Sequence, residues 1–578
     1  MDPTLGQQAK ITKYLARRTG LDSASPGETP PAQGFVGDLT GNQVDWFING
    51  NRYFSALDQE IDALLTDTSA GRYFYLSAWW LGLTAEKKTA PVKVVPASGV
   101  MAKALGVVSQ QLVAPWQAEL ESPALTLPVS GKPLAVRLQE LHQAGVDVRV
   151  LAWVSPFAGY NLAAFSPAMA GINKVNLHTL LGIRELRRRF GSTGTAKVVA
   201  NLASHPLGAA HCKLVVCGSK TATRAFTGGI DPVENRKSPG WHDVAVRLTG
   251  PAATGVYDFF RQLWAEQAEQ PKLTFNVDGE EIPSRPGGWT AIPEPPKLAA
   301  GDGRGACVQV LRTVPQMNFS VTGPEWLPGS ALQRALITTG AGLRKAPVSF
   351  APDGCFEFKV ALQKAISQAE NYIFIADQAF TSQEIMDWIA VRLRAKPDLK
   401  VILLHGGDPA DQKSGDLPEA INRHLIPGLS EEKKFTHSGI KGVEFWAWSG
   451  VTVHCKVTII DDVFCIVGSA NAMRRSLYTD VELSVAILDS TGSGLVSRLR
   501  RDLWTQYCGI TDTLDPGYGP LLDIDKALSL WSPFWGKDPG TGTKLLDAIT
   551  GQALPLPVAA AYSEKLHDLA DSDSRKTF

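Results

Sequence analysis

Two short segments, Ala210-His211-Cys212-Lys213 and Val453-His454-Cys455-Lys456, each place a histidine and a lysine two residues apart within apolar runs. In an extended chain alternate side chains share a face, so the imidazole and ammonium of each segment point together while the cysteine faces away. A lysine in an apolar run is rare unless it is paired or functional. The pattern suits chemistry on a phosphodiester, whose transition state spreads negative charge over the phosphoryl oxygens and is stabilised by positioned cations. One neutral imidazole can attack phosphorus to form a covalent phosphohistidine. The other can protonate the leaving alcohol and then activate water. One such segment alone is weak evidence; two, in matching surroundings, read as two halves of one site. His142, His178 and His567 read as ordinary structural histidines.

The residues downstream sharpen this. After His454 come Asp461, Gly468-Ser469-Ala470-Asn471, Arg475-Ser476, Asp480 and Glu482. After His211 come Gly228-Gly229-Ile230-Asp231, Trp241-His242-Asp243 and Gly250-Pro251-Ala252. Together with Trp79-Trp80 and Asp377-Gln378, these segments resemble the paired signature of the phospholipase D superfamily over most of 40–510. The resemblance implies His211 as nucleophile and His454 as acid/base, with Lys213 and Lys456 as phosphoryl cations. It places Asn471, Ser469 and Asp231 at the phosphate, and Asp461 and Asp480 in supporting roles. A carboxylate on the second ring nitrogen holds a catalytic imidazole in one tautomer. Asp243 is expected to do this for His211, and Glu482 or Asp480 for His454. Arg475 reads as a structural ion-pair partner, and Trp79 and Trp80 as core or pocket wall. One position departs: where the first half-site should carry its aspartate, Gly218 stands. No metal or other cofactor is implied, since the histidines are committed to covalent and acid/base work.

Within the superfamily, the GGID and WHD segments are most similar to phosphatidylcholine-type enzymes. The expected activity is hydrolysis of the headgroup phosphodiester of glycerophospholipids at a membrane surface, giving phosphatidic acid and a free alcohol. The alternatives are a nuclease, a phosphatidyltransferase and an inactive lipid-binding relative. Lys plus Arg and Asp plus Glu number 57 each, a balance that does not favour broad nucleic-acid binding. The aromatic runs Trp153–Tyr160 and Leu530–Trp535 read either as interfacial loops or as packing segments.

The elements that must position these residues recur along the chain. In the first half the spacing predicts a helix over 53–66, a strand at 73–79, a helix at 134–144, a strand at 148–153 and a strand at 210–216. The second half repeats the series: a helix from Phe358, a strand at 372–376, a helix at 383–395, and strands at 399–404 and 453–460. The expectation is an α/β protein of two similar α/β/α lobes from an internal duplication, related by a pseudo-two-fold axis, each with a mostly parallel sheet. Residues 82–132 read as an insertion and the Pro/Gly-rich stretch Asp278–Arg304 as a linker. This divides the chain into a flexible arm (1–34), a first lobe (35–300) and a second lobe (301–578). Because one chain carries both half-sites, a monomer is expected to be active. The seven cysteines match no zinc spacing and read as buried thiols of a protein made in a reducing compartment. With no leader-like or membrane-spanning run, a cytoplasmic protein is expected. A leaderless export route, as used by some bacterial effector relatives, is compatible with this.

Overall fold

The computed structural model describes residues 3–16, 39–84, 92–95, 110–118, 123–161, 170–192, 194–205, 208–270, 272–296, 305–315, 348–378, 382–407, 443–449, 451–510, 513–515, 518–531, 545–547 and 553–554. The first lobe carries strands β1 (Leu39–Ile48), β2 (Tyr73–Ala78), β3 (Val92–Val95), β4 (Trp116–Ala118), β5 (Asp147–Trp153), β6 (Val198–Asn201), β7 (Leu214–Gly218), β8 (Thr223–Gly228), β9 (Trp241–His242), β10 (Val244–Thr249), β11 (Thr274–Val277) and β12 (Glu280–Pro283). The second carries β13 (Ala306–Val314), β14 (Cys355–Phe356), β15 (Tyr372–Asp377), β16 (Lys400–Gly407), β17 (Val443–Ser449), β18 (Thr452–Val453), β19 (Lys456–Ile460), β20 (Phe464–Gly468) and β21 (Glu482–Leu488).

The strand order of the two lobes is the same. In the first it runs β1-β10-β8-β7-β2-β5-β6, antiparallel up to β2 and parallel beyond it. In the second it runs β13-β21-β20-β19-β15-β16-β17, again antiparallel up to β15 and parallel beyond it. The α/β class therefore holds, but the sheets are mixed rather than mostly parallel. The reason is local: each His-x-Lys strand is followed by a tight hairpin, and a hairpin forces its two strands antiparallel. The two sheets join where the start of β1 pairs with β13, Leu39 opposite Val308.

Strand residues alternate between two cores. Phe74, Leu76, Val215 and Cys217 pack outward with helices 50–66, 134–143 and 170–190. Ile373, Ile375, Val401 and Ile460 do the same with helices 357–368 and 383–395. The opposite faces of both sheets, including Tyr75, Val216, Phe374 and Val457, share one core with helices 251–266 and 495–507. The lobes thus bury a common layer.

Two expectations are corrected. Residues 3–14, placed in a flexible arm, form a helix, and Ile11, Tyr14 and Leu15 are buried in the outer core of the second lobe. Amphipathic spacing is weak in this short polar helix, so only its docking surface reveals it. Residues 17–38 lie outside the described residues. Part of the expected linker is a hairpin, β11–β12, which turns at Asp278 and Gly279 in left-handed conformations. It pairs with β3 and β4 of the insertion to form a four-stranded sheet. Of the two readings left open for the run Trp153–Tyr160, the structure favours packing: Trp153, Val154, Ala158 and Tyr160 are buried. Residues 532–535 lie outside the described residues.

Candidate active site

The ladders of β7 and β19 begin at Leu214 and Lys456, so the His-x-Lys segments leave the sheet instead of lying within it. Their backbone groups bond across the lobe boundary. His211 N and Cys212 N donate to Val481 O at 2.8 and 2.9 Å, and Val481 N donates to Ala209 O at 2.8 Å. Reciprocally, His454 N donates to His242 O at 2.8 Å, and β18 pairs in parallel with β9, Val453 opposite His242. Each histidine is therefore docked on the residue that precedes the other lobe's carboxylate.

The consequence is a crossed pairing. His211 Nδ1 lies 3.0 Å from Glu482 Oε1, and His454 Nδ1 lies 2.7 Å from Asp243 Oδ2. Asp243, expected at His211, holds His454 instead; of the two residues expected at His454, Glu482 holds His211 and Asp480 bonds Ala209 N and Arg475. Sheet adjacency explains why: β8 lies between β7 and β10, so Asp243 cannot reach behind His211 within its own sheet. With Nδ1–H donated to a carboxylate, Nε2 is left as the lone-pair nitrogen in both rings. Burial, then the neighbouring Lys213, holds His211 well below the usual imidazole range; burial, then Lys456, does the same for His454. Burial therefore favours the neutral form of both rings, which is the form that attack by His211 and water activation by His454 require; proton delivery by His454 requires its imidazolium, the form that the hydrogen bond to Asp243 favours. Burial pushes both carboxyls up to about 7, against Lys213 at Glu482 and Lys456 at Asp243.

Each lysine folds back on its own segment. Lys213 Nζ donates to His211 O at 2.7 Å, and Lys456 Nζ donates to His454 O. Lys213 also sits 3.6 Å from Asp231 Oδ2 and over the Trp79 ring. Burial lowers its pKa, with Asp231 opposing. Asp231 is fully buried, and its Oδ1 accepts from Trp79 N and Trp80 N at 3.1 and 3.0 Å. A buried anion behind Lys213 is a counter-ion, so its expected place as a phosphate ligand is corrected. Ser469 is corrected likewise: its hydroxyl is buried against Glu482, donating to Oε2 at 2.5 Å. Ser476 donates to Oε1 at 2.7 Å, so two hydroxyls fix the carboxylate that holds His211. Asn471 remains a candidate phosphate ligand only through its Nδ2 amide, which donates; its buried Oδ1, an acceptor, has no hydrogen-bond partner among the described residues.

The supporting aspartates lie where structural roles place them. Asp480 accepts from Ala209 N at 2.7 Å and pairs with Arg475 at 2.8 Å, tying the approach to His211 onto the second lobe. Asp461 lies at the far end of β19 from Lys456. It accepts from the backbone N–H groups of Glu370, Asn371 and Tyr372 at 2.8, 2.8 and 3.0 Å, and from Tyr14 Oη at 3.0 Å. In the first lobe, Gly218 ends its strand opposite Thr223 at φ 150°, where a Cβ would sit 2.0 Å from Ala222 O. The missing aspartate thus removes a turn fastener and no chemical group. Gly229 has a positive requirement too: a Cβ there would meet Asp243 Oδ1 at 2.1 Å.

Sequence reasoning missed Arg236, whose buried guanidinium stacks on Trp241 beside His454. The five-residue step from the GGID aspartate was the available signal, but it carries no chemistry until the loop is folded.

Comparison with known proteins follows the same line. Residues 362–505, which include the second half-site, match the family described as "Cardiolipin synthase, PLD-like domain". Cardiolipin synthase A of Salmonella paratyphi B and that of Salmonella newport are each 21% identical over 334 residues, covering 54% of this chain and 54% of theirs. The chain thus spans about half the length of the curated relatives it matches. Among solved structures, phosphatidylserine synthase of Haemophilus influenzae Rd KW20 aligns over 99% of this chain and 97% of its own, at 12% identity and a TM-score of 0.42. Polyphosphate kinase of Porphyromonas gingivalis aligns over 87% and 55%, at 11% identity and a TM-score of 0.39. The PLD-like domain over residues 362–505 and the similarity to the cardiolipin synthases support membership of the phospholipase D superfamily.

Proposed function

We propose that this chain cleaves the headgroup phosphodiester of glycerophospholipids at a membrane surface through a covalent phosphohistidine. The observation that carries this reading is the crossed pair of buried His–carboxylate dyads, each beside a buried lysine. His211 Nε2 attacks phosphorus, the P–O bond to the headgroup alcohol breaks, and His454, entering the step as the imidazolium protonated on Nε2 and held by Asp243, delivers that proton to the departing oxygen. Lys213, Lys456 and Asn471 offset the charge on the phosphoryl oxygens. His454 then takes a proton from the incoming hydroxyl compound, whose oxygen displaces His211.

With water as that compound the products are phosphatidic acid and a free alcohol. The cardiolipin synthase description of the matched domain favours a second reading, in which a lipid alcohol takes the place of water and the product is a new phosphatidyl ester. Vesicles of mixed phospholipids, with and without added primary alcohol, separate the two by product: phosphatidic acid for hydrolysis, a phosphatidyl alcohol for transfer. Cleavage of plasmid DNA with no turnover of any phospholipid would instead support the nuclease reading. No helix among the described residues is long and apolar enough to cross a membrane.

A further inference from the structure

Both imidazoles sit against a tryptophan, and each tryptophan carries a cation. Beside His211 the indole is Trp79, at 5.5 Å between ring centroids, and the cation is the motif's own Lys213, 5.4 Å from the Trp79 centroid. Beside His454 the indole is Trp241, at 4.9 Å, and the cation is Arg236, 3.7 Å from the Trp241 centroid. Arg236 has no place in the chemistry derived above, yet its position is tightly determined. It is 2% exposed, its other stacking partner is Trp80 at 5.2 Å, and its Nη2 lies 4.0 Å from Asp231 Oδ2. Its loop presses on helix 50–66 at Gly50, where a Cβ would sit 2.2 Å from Arg236 O. A guanidinium is expensive to bury, and this one has a long contact to Asp231, the charge of Asp243 nearby, a 3.5 Å bond to Asn235 Oδ1 and an Nε with no hydrogen-bond partner among the described residues. Stability alone gives no reason to keep it.

We propose that Arg236 is a positioning residue for His454: it clamps Trp241 against the imidazole and holds a fixed positive charge beside it. The groups acting on His454 are Asp243, which accepts from Nδ1 and favours the imidazolium, and Lys456, Arg236, Lys213 and His211, which all disfavour it. An imidazole that donates a proton in one half-reaction and takes one back in the next must be able to adopt both forms. Burial and Lys456 favour the neutral ring, Asp243 favours the imidazolium, and Arg236 adds its charge to the first side. Burial lowers the Arg236 pKa to about 10, which still leaves it charged at neutral pH. The catalytic part of this inference rests on the phosphodiester reading; the electrostatic part does not.

The test uses the full chain with 15N-labelled histidine, titrated by NMR, alongside pH–rate profiles on phospholipid vesicles. Arg236→Met removes the charge and keeps much of the stacking volume. Its loss relieves repulsion of the imidazolium, so the His454 pKa should rise by on the order of one unit. The alkaline limb of the profile, which reports loss of the protonated acid, should move the same way, and kcat should fall by at least about tenfold with KM within about twofold. Arg236→Lys should keep the limb near its wild-type position. If Arg236→Met folds with wild-type stability and moves neither the His454 titration nor the limb, the proposal is overturned. If Arg236→Met does not fold, Trp241→Leu and Trp241→Phe decide: a loss of kcat in the first that the second restores supports the clamp, and wild-type kcat in the first overturns it. A wild-type enzyme that turns over no phospholipid would refute the phosphodiester reading, while the NMR titration would still judge Arg236.

Discussion

Asp243 and Glu482 are interchangeable on paper: each is a carboxylate following its lobe's glycine motif, and each is buried. What distinguishes them is the ring each one holds. Asp243→Asn should perturb the titration of His454 and leave that of His211 near its wild-type position, while Glu482→Gln should do the reverse. An amide can hold the ring but stabilises an imidazolium poorly, so each variant should fold and lose at least about a hundredfold in rate. A perturbation of His211 alone by Asp243→Asn would contradict the crossed dyads. The two lysines should behave as equals. Lys213→Ala and Lys456→Ala should each cost about a hundredfold or more in kcat, because each removes a cation from the phosphoryl cradle; near-normal rates in both would refute that role.

The hairpins that follow each half-site show how one element can meet one requirement by two routes. In the second lobe, Asp461 and Asp462 both take left-handed conformations, and Asp461 gathers three backbone donors ahead of β15. In the first lobe the equivalent connection holds itself: Ser69 N donates to Asp67 Oδ1 at 2.7 Å, and the Arg72 guanidinium reaches Leu64 O and Ala144 O, both at 2.7 Å. Asp461→Ala should therefore lower stability by about 1–2 kcal/mol, since it removes the acceptor of several part-buried donors, while the folded protein keeps its rate. Restoring the family residue in the first lobe should do harm. Gly218→Asp places a Cβ 2.0 Å from Ala222 O in a glycine conformation, and should cost about 2 kcal/mol or more with no gain in kcat. Denaturant unfolding beside kcat measurement checks both.

Across the whole molecule, each half-site is incomplete without the other lobe. The carboxylate for each histidine comes from the opposite lobe, and the sheets bury one shared core. Unfolding should accordingly be a single cooperative transition with activity lost in step; two resolved calorimetric transitions, with activity lost at the first, would show that the shared core does not couple the lobes. The N-terminal helix belongs to this unit, since Tyr14 bonds Asp461 and Lys364 Nζ reaches Leu15 O. Its distance from the histidines means that its contribution is to stability.

The sequence by itself determined the two candidate half-sites and part of the element series around them. Two His-x-Lys segments at matching points of a repeated helix–strand series specify a two-part site, because residue type and spacing are local properties. Helix 383–395 and the strand starting at Tyr372 were legible from periodicity to the residue. Only the tertiary structure decided which carboxylate serves which histidine, that Ser469 and Asp231 support the site instead of binding phosphate, and that Arg236 belongs to it. Those facts depend on backbone pairing across the lobe boundary, between Ala210 and Val481 and between Val453 and His242. Side-chain alternation reports the face of a strand, and it carries no information about which distant segment lies opposite.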